Sequence, residues 1–235
     1  GEFNRPLFTY FKQLFAQVSN PPIDYIREEL VTSLESRLGP QPNLLAETPD
    51  HARQLVLDSP VLTDEQTAAV RAMDGSGGLA SAVVDLTYPR DGETTLREAV
   101  ERVRDDAVTA IEGGADVVVL SDRATGPERV AVPSLLATGA VHHTLVRSGL
   151  RNHAGLVVES GDPREVHHLA TLVGYGADGV NPYLAYETIR DLVAGPDGAD
   201  EADALARYRG ALEDGLLKTR AKMGVSTVES YPGAQ

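Results

Sequence analysis

Five of the six histidines lie between Val141 and Leu172, four of them in two copies of one tripeptide, Val141-His142-His143 and Val166-His167-His168. Imidazoles at that density suit a metal site, an acid/base centre, or hydrogen bonding within packed helices. A metal needs converging side chains, and consecutive helical residues point about 100° apart, so each pair offers at most one ligand. In the helix expected from Pro163, the residues Val166, Leu169, Ala170 and Val173 form the buried stripe, and His167 and His168 both fall outside it. A site would need one histidine from each of two helices plus a carboxylate. Helix-surface and interhelix hydrogen bonding is the plainer expectation.

A second set sits where strands should end. Asp85, Ser121-Asp122-Arg123, Glu159-Ser160 and Asn181 each close a short apolar run, and in parallel α/β folds ligands gather at the carboxyl ends of strands. Asp85, Asp122, Arg123 and Glu159 are therefore the candidate pocket, suited to a small anionic metabolite. Against it, Ser160-Gly161-Asp162-Pro163 places Asp162 as the N-cap of the next helix with Glu165 at the third position, so carboxylates fill a terminus that an anion would use. A third set, GYGADG from Gly174 to Gly179, has the form G-x-G-x-x-G. Dinucleotide binding needs that loop to follow a strand and open a helix, and here it follows a helix and opens a strand. GSGG at Gly75 to Gly78 reads as a linker or turn.

The elements that must position these groups begin at Leu79. LASAVVDL, DVVVLS, GLVVES and DGVNP read as strands, each followed by helical periodicity, the pattern of βα units on a parallel sheet. TLREAVERVRDDAVTAIE carries one apolar stripe and a capping box from Thr95 and Glu98. Gly114-Ala115-Asp116 and Gly176-Ala177-Asp178 each enter a strand through a glycine that ends a helix in a left-handed turn. An eight-unit barrel takes about 250 residues, more than the stretch after Leu79 provides. The fold class expected is α/β, with parallel βα units forming an open or half TIM-barrel-like domain. Residues 76–235 make up that domain, and residues 4–75 a helical N-terminal lead-in; Gly1-Glu2-Phe3 read as a tag remnant. In the lead-in, Leu7, Tyr10, Phe11, Leu14, Phe15 and Val18 fall on one helical stripe, and helix starts are expected at Thr48-Pro49 and at the capping box Thr63 to Gln66.

The net charge of −14 over 235 residues argues against nucleic acid and anionic membrane surfaces. No run reaches the roughly 20 apolar residues of a membrane span, and no basic-then-apolar leader opens the sequence, so a cytoplasmic setting is expected. With no cysteine, disulfides, thiolate metal sites, cysteine nucleophiles and cysteine-ligated iron–sulfur clusters are excluded.

YFKQLFAQVSNPPIDYIREELVTSLESRLGP, NLLAETPDHARQL, SPVLT, LSDR, VPSLLATGAVHHTLVRSGLR, GLVVESGDPREVHHLATLVGYGADGVNPYLAYETI and KMGVSTVESYPGAQ, in that order, closely resemble the central domain of the large subunit of glutamate synthase. That resemblance implies a parent enzyme that makes glutamate from glutamine and 2-oxoglutarate. A glutaminase domain and an FMN-binding barrel with a 3Fe-4S cluster flank the central domain, and ammonia passes inside the protein between them. It implies a non-catalytic scaffold with no cofactor of its own, partnered by the glutaminase and FMN domains, with a small NADPH-oxidising subunit or ferredoxin serving the parent. The family commonly has Thr where Ser19 stands, and Ser19 and Asn20 are implied to lie near the ammonia path. The isolated fragment should be inactive and prone to self-association through the aromatic helix and the strand ends. Two other readings stay open: a free-standing α/β enzyme or binding protein using the strand-end residues, and a flavin-binding half-barrel that pairs with a second copy.

Overall fold

Val- and Leu-rich runs that are apolar on both faces suit strands buried between two layers; three of the runs after Leu79 are of this kind, and with the shorter DGVNP they form one sheet. The computed structural model describes residues 5–12, 21–24, 26–194 and 200–234. In chain order, a 3-10 turn at Leu7–Tyr10 precedes the single turn α1 (Glu28–Val31). The strands β1 (Ser36–Leu38) and β2 (Leu55–Leu57) pair antiparallel, with a second 3-10 turn at Pro49–Ala52 between them, and α2 (Asp64–Arg71) follows. The α/β part then runs β3 (Ser81–Asp85), β4 (Thr87–Pro89), α3 (Leu96–Glu112), β5 (Val117–Ser121), β6 (Arg129–Ala131), α4 (Ser134–Arg147), β7 (Gly155–Glu159), α5 (Val166–Gly174), β8 (Gly179–Asn181), α6 (Tyr183–Val193) and α7 (Glu201–Lys222).

The main sheet has the order β3-β5-β7-β8 with every neighbouring pair parallel. It does not close. On its outer face Val84, Val118, Leu120 and Leu156 pack against Val103 and Ala107 of α3 and Val141 and Leu145 of α4. Further along, Val158 and Val180 meet Leu169 and Leu172 of α5 and Leu212 and Leu216 of α7. The inner face, which would line the centre of a closed barrel, is covered by the lead-in: Leu38, Leu57, Leu62 and Val70 pack on Val117, Val119 and Val157. The lead-in also extends the sheet, since the Leu62 N–H donates to Val180 O at 2.9 Å and the Val180 N–H donates to Pro60 O at 2.7 Å. The architecture is thus an open parallel half-barrel plugged by its own N-terminal segment.

Both capping boxes form, Thr63 with Gln66 and Thr95 with Glu98. Gly114 and Gly176 enter their strands at φ of 97° and 105°, as left-handed turns require. The repeated aspartates have a use the sequence did not disclose. Asp116 Oδ2 accepts the Ala80 N–H ahead of β3, and Asp178 Oδ2 accepts the Leu156 N–H of β7, both across to the neighbouring strand.

Three expectations need correction. The aromatic stripe is not a continuous helix through Phe11, because Phe11 turns extended at φ −98° and ψ 135°; its continuation through Leu14, Phe15 and Val18 lies outside the described residues. Phe8 rather than Tyr10 is the anchor of the described part, at 2% exposure against 70%, so Tyr10 of the expected stripe faces outward. Asp162 does not cap its own helix: α5 starts at Val166, and Asp162 Oδ2 accepts the Ser134 N–H at the start of α4 at 2.9 Å.

Candidate functional site

Register fixes the strand ends in one row. Asp85, Ser121, Glu159 and Asn181 are successive partners across β3, β5, β7 and β8. Strand alternation turns all four toward the inner face, where α2 lies across them. Glu159, 2% exposed, is held by three donors: Ser121 Oγ at 2.6 Å, Arg71 Nη1 at 2.7 Å and Arg123 Nε at 2.6 Å. Asn181 Nδ2 donates to Leu62 O and to Asp64 Oδ1 at 3.0 Å. Asp64 in turn pairs with Arg190 of α6 at 2.7 Å and Arg123 at 3.5 Å. Arg123 also reaches Glu187 at 3.1 Å and lies over the Tyr183 ring, 4.2 Å from its centroid. Burial opposes the Arg123 charge, but Glu159, Glu187 and Asp64 outweigh it and hold its pKa above the ordinary value.

Of the four predicted pocket residues, Arg123 and Glu159 meet, whereas Asp85 and Asp122 serve other contacts. Asp85 binds the Thr87 N–H and hydroxyl through Oδ1 and Arg129 through Oδ2 at 2.8 Å, which fastens the antiparallel ribbon of β4 and β6. Asp122, one residue beyond β5, turns to the opposite side and accepts from Ser160 Oγ and the Gly161 N–H. Burial raises its pKa against the pull of Ser160, Tyr183 and Gly161, and burial followed by Asp122 raises that of Tyr183. Ser19 and Asn20 lie outside the described residues.

Above the row is a shallow depression of about 470 Å³ lined by Asp64, Ala68, Arg71, Ala72, Arg123 and Glu159. Its charges are already matched inside the network, so an incoming anion would have to displace Glu159 from Arg123 or Arg71. Asp64, Arg71 and Arg190 complete this network and were not candidates from the sequence. The only signal for the first two was their place at the ends of the helix begun by Thr63, where acids first and bases last are also ordinary helix-dipole chemistry.

The histidines are placed by packing. His168 is buried at 5% exposure, not outside the stripe as expected, and stacks on Phe8 with ring centroids 4.4 Å apart. Its Nδ1 accepts the Arg164 N–H and its Nε2 faces Glu165 at 3.1 Å. His167 Nε2 meets Phe8 O at 3.0 Å, so the second pair clamps the lead-in onto α5. His142 accepts Arg151 Nε at Nδ1, and the same Arg151 binds Gly176 O and the Asp178 carboxylate. Among the described residues no group of three or more His, Asp or Glu side chains is placed to hold a metal ion. GYGADG leads from α5 into β8, with Gly176 against His142 and Gly179 against Leu62, so its glycines serve close packing at the strand entrance.

Fold and strand-end network together define a parallel α/β domain of half-barrel form whose crown is closed by ion pairs. The glutamate synthase central domain family matches residues 2–235. Curated relatives agree. The NADH glutamate synthase of Schizosaccharomyces pombe is 46% identical over 236 residues, covering 98% of this chain and 11% of that protein. The NADPH glutamate synthase large chain of Bacillus subtilis is 43% identical, covering 97% of this chain and 15% of that one. The ferredoxin-dependent glutamate synthase 2 of Synechocystis is 41% identical, covering 98% and 16%. The chain belongs to the glutamate synthase central domain family, and it spans about a tenth to a sixth of the length of these relatives. Among solved structures, a mandelate oxidase mutant aligns at a TM-score of 0.46 and 18% identity over 72% of this chain and 58% of that one. That likeness is too low to bear on chemistry.

Proposed function

We propose that this chain is a non-catalytic scaffold within a glutamate synthase large subunit, linking the glutaminase and FMN-binding domains and forming part of the wall of an internal ammonia passage. The observation that carries this is the closed strand-end network: Glu159 accepts from Ser121, Arg71 and Arg123, while Asp64 engages Arg123, Arg190 and Asn181. In a barrel enzyme the strand ends are the working face; here they fix α2 to the sheet. The plugged inner face supports the same reading, since a second half-barrel would have to displace Leu38, Leu57, Leu62 and Val70.

In this reading FMN and the 3Fe-4S cluster belong to another domain, consistent with a chain lacking cysteine. Electrons reach the parent from an NADPH-oxidising subunit or ferredoxin in a cytoplasmic setting, and Ser19 and Asn20 border the passage. The test is a thermal-shift series on the isolated chain with FMN, 2-oxoglutarate, glutamine and glutamate. A ligand at a hundredfold excess over its Kd adds about 2.7 kcal/mol, which raises Tm by about 5–10 °C at this size. No shift is expected; a saturable shift with FMN or 2-oxoglutarate would overturn the scaffold assignment. In the whole enzyme, Ser19→Ala and Asn20→Ala should raise free ammonia released per glutamate formed, and unchanged coupling would remove them from the passage.

A further inference from the structure

The two edges of the main sheet are finished differently. β8 is extended by the lead-in, where Val61 pairs parallel to Val180, whereas β3 has a strand, β5, on one side only. The Val117 N–H donates to Ala80 O and the Leu86 N–H to Ser121 O. The alternation of a parallel ladder therefore turns the main-chain groups of Ala82 and Val84 toward β5, and those of Ser81, Val83 and Asp85 toward the open edge. Both ends of that edge are already used. The Ser81 N–H donates to Met73 O, and Asp85 O accepts Arg102 Nη2 at 2.9 Å. Between them, Ser81 O, the Val83 N–H and O, and the Asp85 N–H meet no partner among the described residues. Val83 itself is 44% exposed.

An unpaired strand edge is a template for another strand, and this one is matched in one direction. In a parallel strand, one residue would donate to Ser81 O and accept from the Val83 N–H, and the residue two places on would donate to Val83 O and accept from the Asp85 N–H. The groups taken by Met73 and Arg102 are the ones such a strand does not need. An antiparallel strand would leave an N–H and a C=O of its own against those occupied groups. The residue between the two bonded ones would lie beside Val83 with its side chain on the same face, where an apolar group covers the exposed valine. We propose that β3 is a docking edge for a short extended segment, apolar at its middle residue, from elsewhere in the same large subunit, added as a fifth parallel strand. The chain covers 11–16% of the length of its relatives, so most of the subunit is left to supply that segment, just as the lead-in supplies one to the opposite edge. The inference rests on the scaffold reading and gives the scaffold a specific joint.

Hydrogen exchange resolved to single amides, on the isolated chain and on the whole large subunit, tests it. In the isolated chain the Val83 and Asp85 amides should exchange faster than those of Ala82 and Val84, and in the whole subunit both should slow at least about tenfold. Val83→Pro removes one donor at an edge position that tolerates proline. The isolated variant should melt within about 3 °C of the parent, while in the whole subunit Asp85 should lose its protection. Val83→Thr, which keeps the N–H, should retain it. Should Val83→Pro fold poorly, the comparison of the two unmodified proteins decides alone. Exchange at Val83 as fast in the whole subunit as in the isolated chain would overturn the docking edge, and the scaffold reading would stand if other surfaces of the chain slow there. No slowing anywhere on the chain would overturn both. Asp85 still protected in Val83→Pro would also reject the added strand.

Discussion

His142 is kept neutral by its surroundings: burial first, then the positive charges of Arg151 and His143, bring its pKa from 6.5 to about 4. The unfolded chain therefore takes up a proton that the folded chain refuses. Stability is full above about pH 6.5 and is lost as pH falls toward 4. Over that interval the loss is at most about 3 kcal/mol, reduced by the ring's partial exposure. His142→Asn keeps an acceptor for Arg151 but cannot titrate, so urea melts at several pH values should show a shallower acid limb; superimposable limbs would reject this. His168, whose pKa is likewise lowered by burial, retains its share of the slope. Gly176 is the matching steric constraint. Its φ of 105° disfavours any side chain, and a Cβ there would overlap the His142 ring. Gly176→Ala should cost about 2–4 kcal/mol in a denaturant melt, and a loss under about 1 kcal/mol would mean the helix shifts freely. At this scale the sequence was only partly legible. Helical periodicity put His168 outside the stripe because it considers only the sheet, whereas Phe8 of the lead-in stacks on His168 and buries it.

β3, β5 and β7 were legible because their Val- and Leu-rich runs are apolar on both faces, β8 because its short run follows a helix-ending glycine as β5 does, and the two capping boxes because their donors and acceptors are local. The two antiparallel ribbons were not. They are three residues long per strand and pair segments such as Thr87–Pro89 with Arg129–Ala131, far apart in sequence, so no local period announces them. The strand-end row shows the same division: its members could be read from the ends of the apolar runs, but their partners on α2 and α6 could not. That dependence gives an element-scale prediction. Glu159→Gln removes the charge that joins α2 to the sheet and should cost about 1–3 kcal/mol, below the full penalty for a broken buried pair because Arg71 and Arg123 can still reach solvent. Thr63→Ala should cost about 1 kcal/mol through its cap alone. If Glu159→Gln melts no earlier than Thr63→Ala, the network is not what holds α2 in place.

At the scale of the whole molecule, the lead-in is structurally inseparable from the sheet it precedes. Phe8 enters the core between α4 and α5, while Leu38, Leu57, Leu62 and Val70 cover the inner face. Among the described residues the most exposed apolar side chains also belong to the lead-in: Leu44 and Leu45, at 91% and 92%, lie in the loop after β1, and Leu30 on α1 is 84% exposed. Self-association, if observed by sedimentation, should therefore weaken in Leu44→Ser/Leu45→Ser and not in variants of the strand-end residues. The stronger consequence concerns folding. A chain beginning at Ser76 would leave Val117, Val119 and Val157 facing water, and burying each such side chain is worth about 1.5–3 kcal/mol. It would also lose the edge bonds between Val180 and the Pro60–Leu62 segment. That loss is a large fraction of the roughly 5–15 kcal/mol by which ordinary domains are stable. The truncated chain should bind a hydrophobic dye, keep helical circular dichroism and lose a sharp melting transition, the marks of a collapsed state without fixed packing. The intact chain should unfold in one step by both probes. A truncated chain that melts cooperatively near the parent Tm would show that the half-barrel stands without its plug.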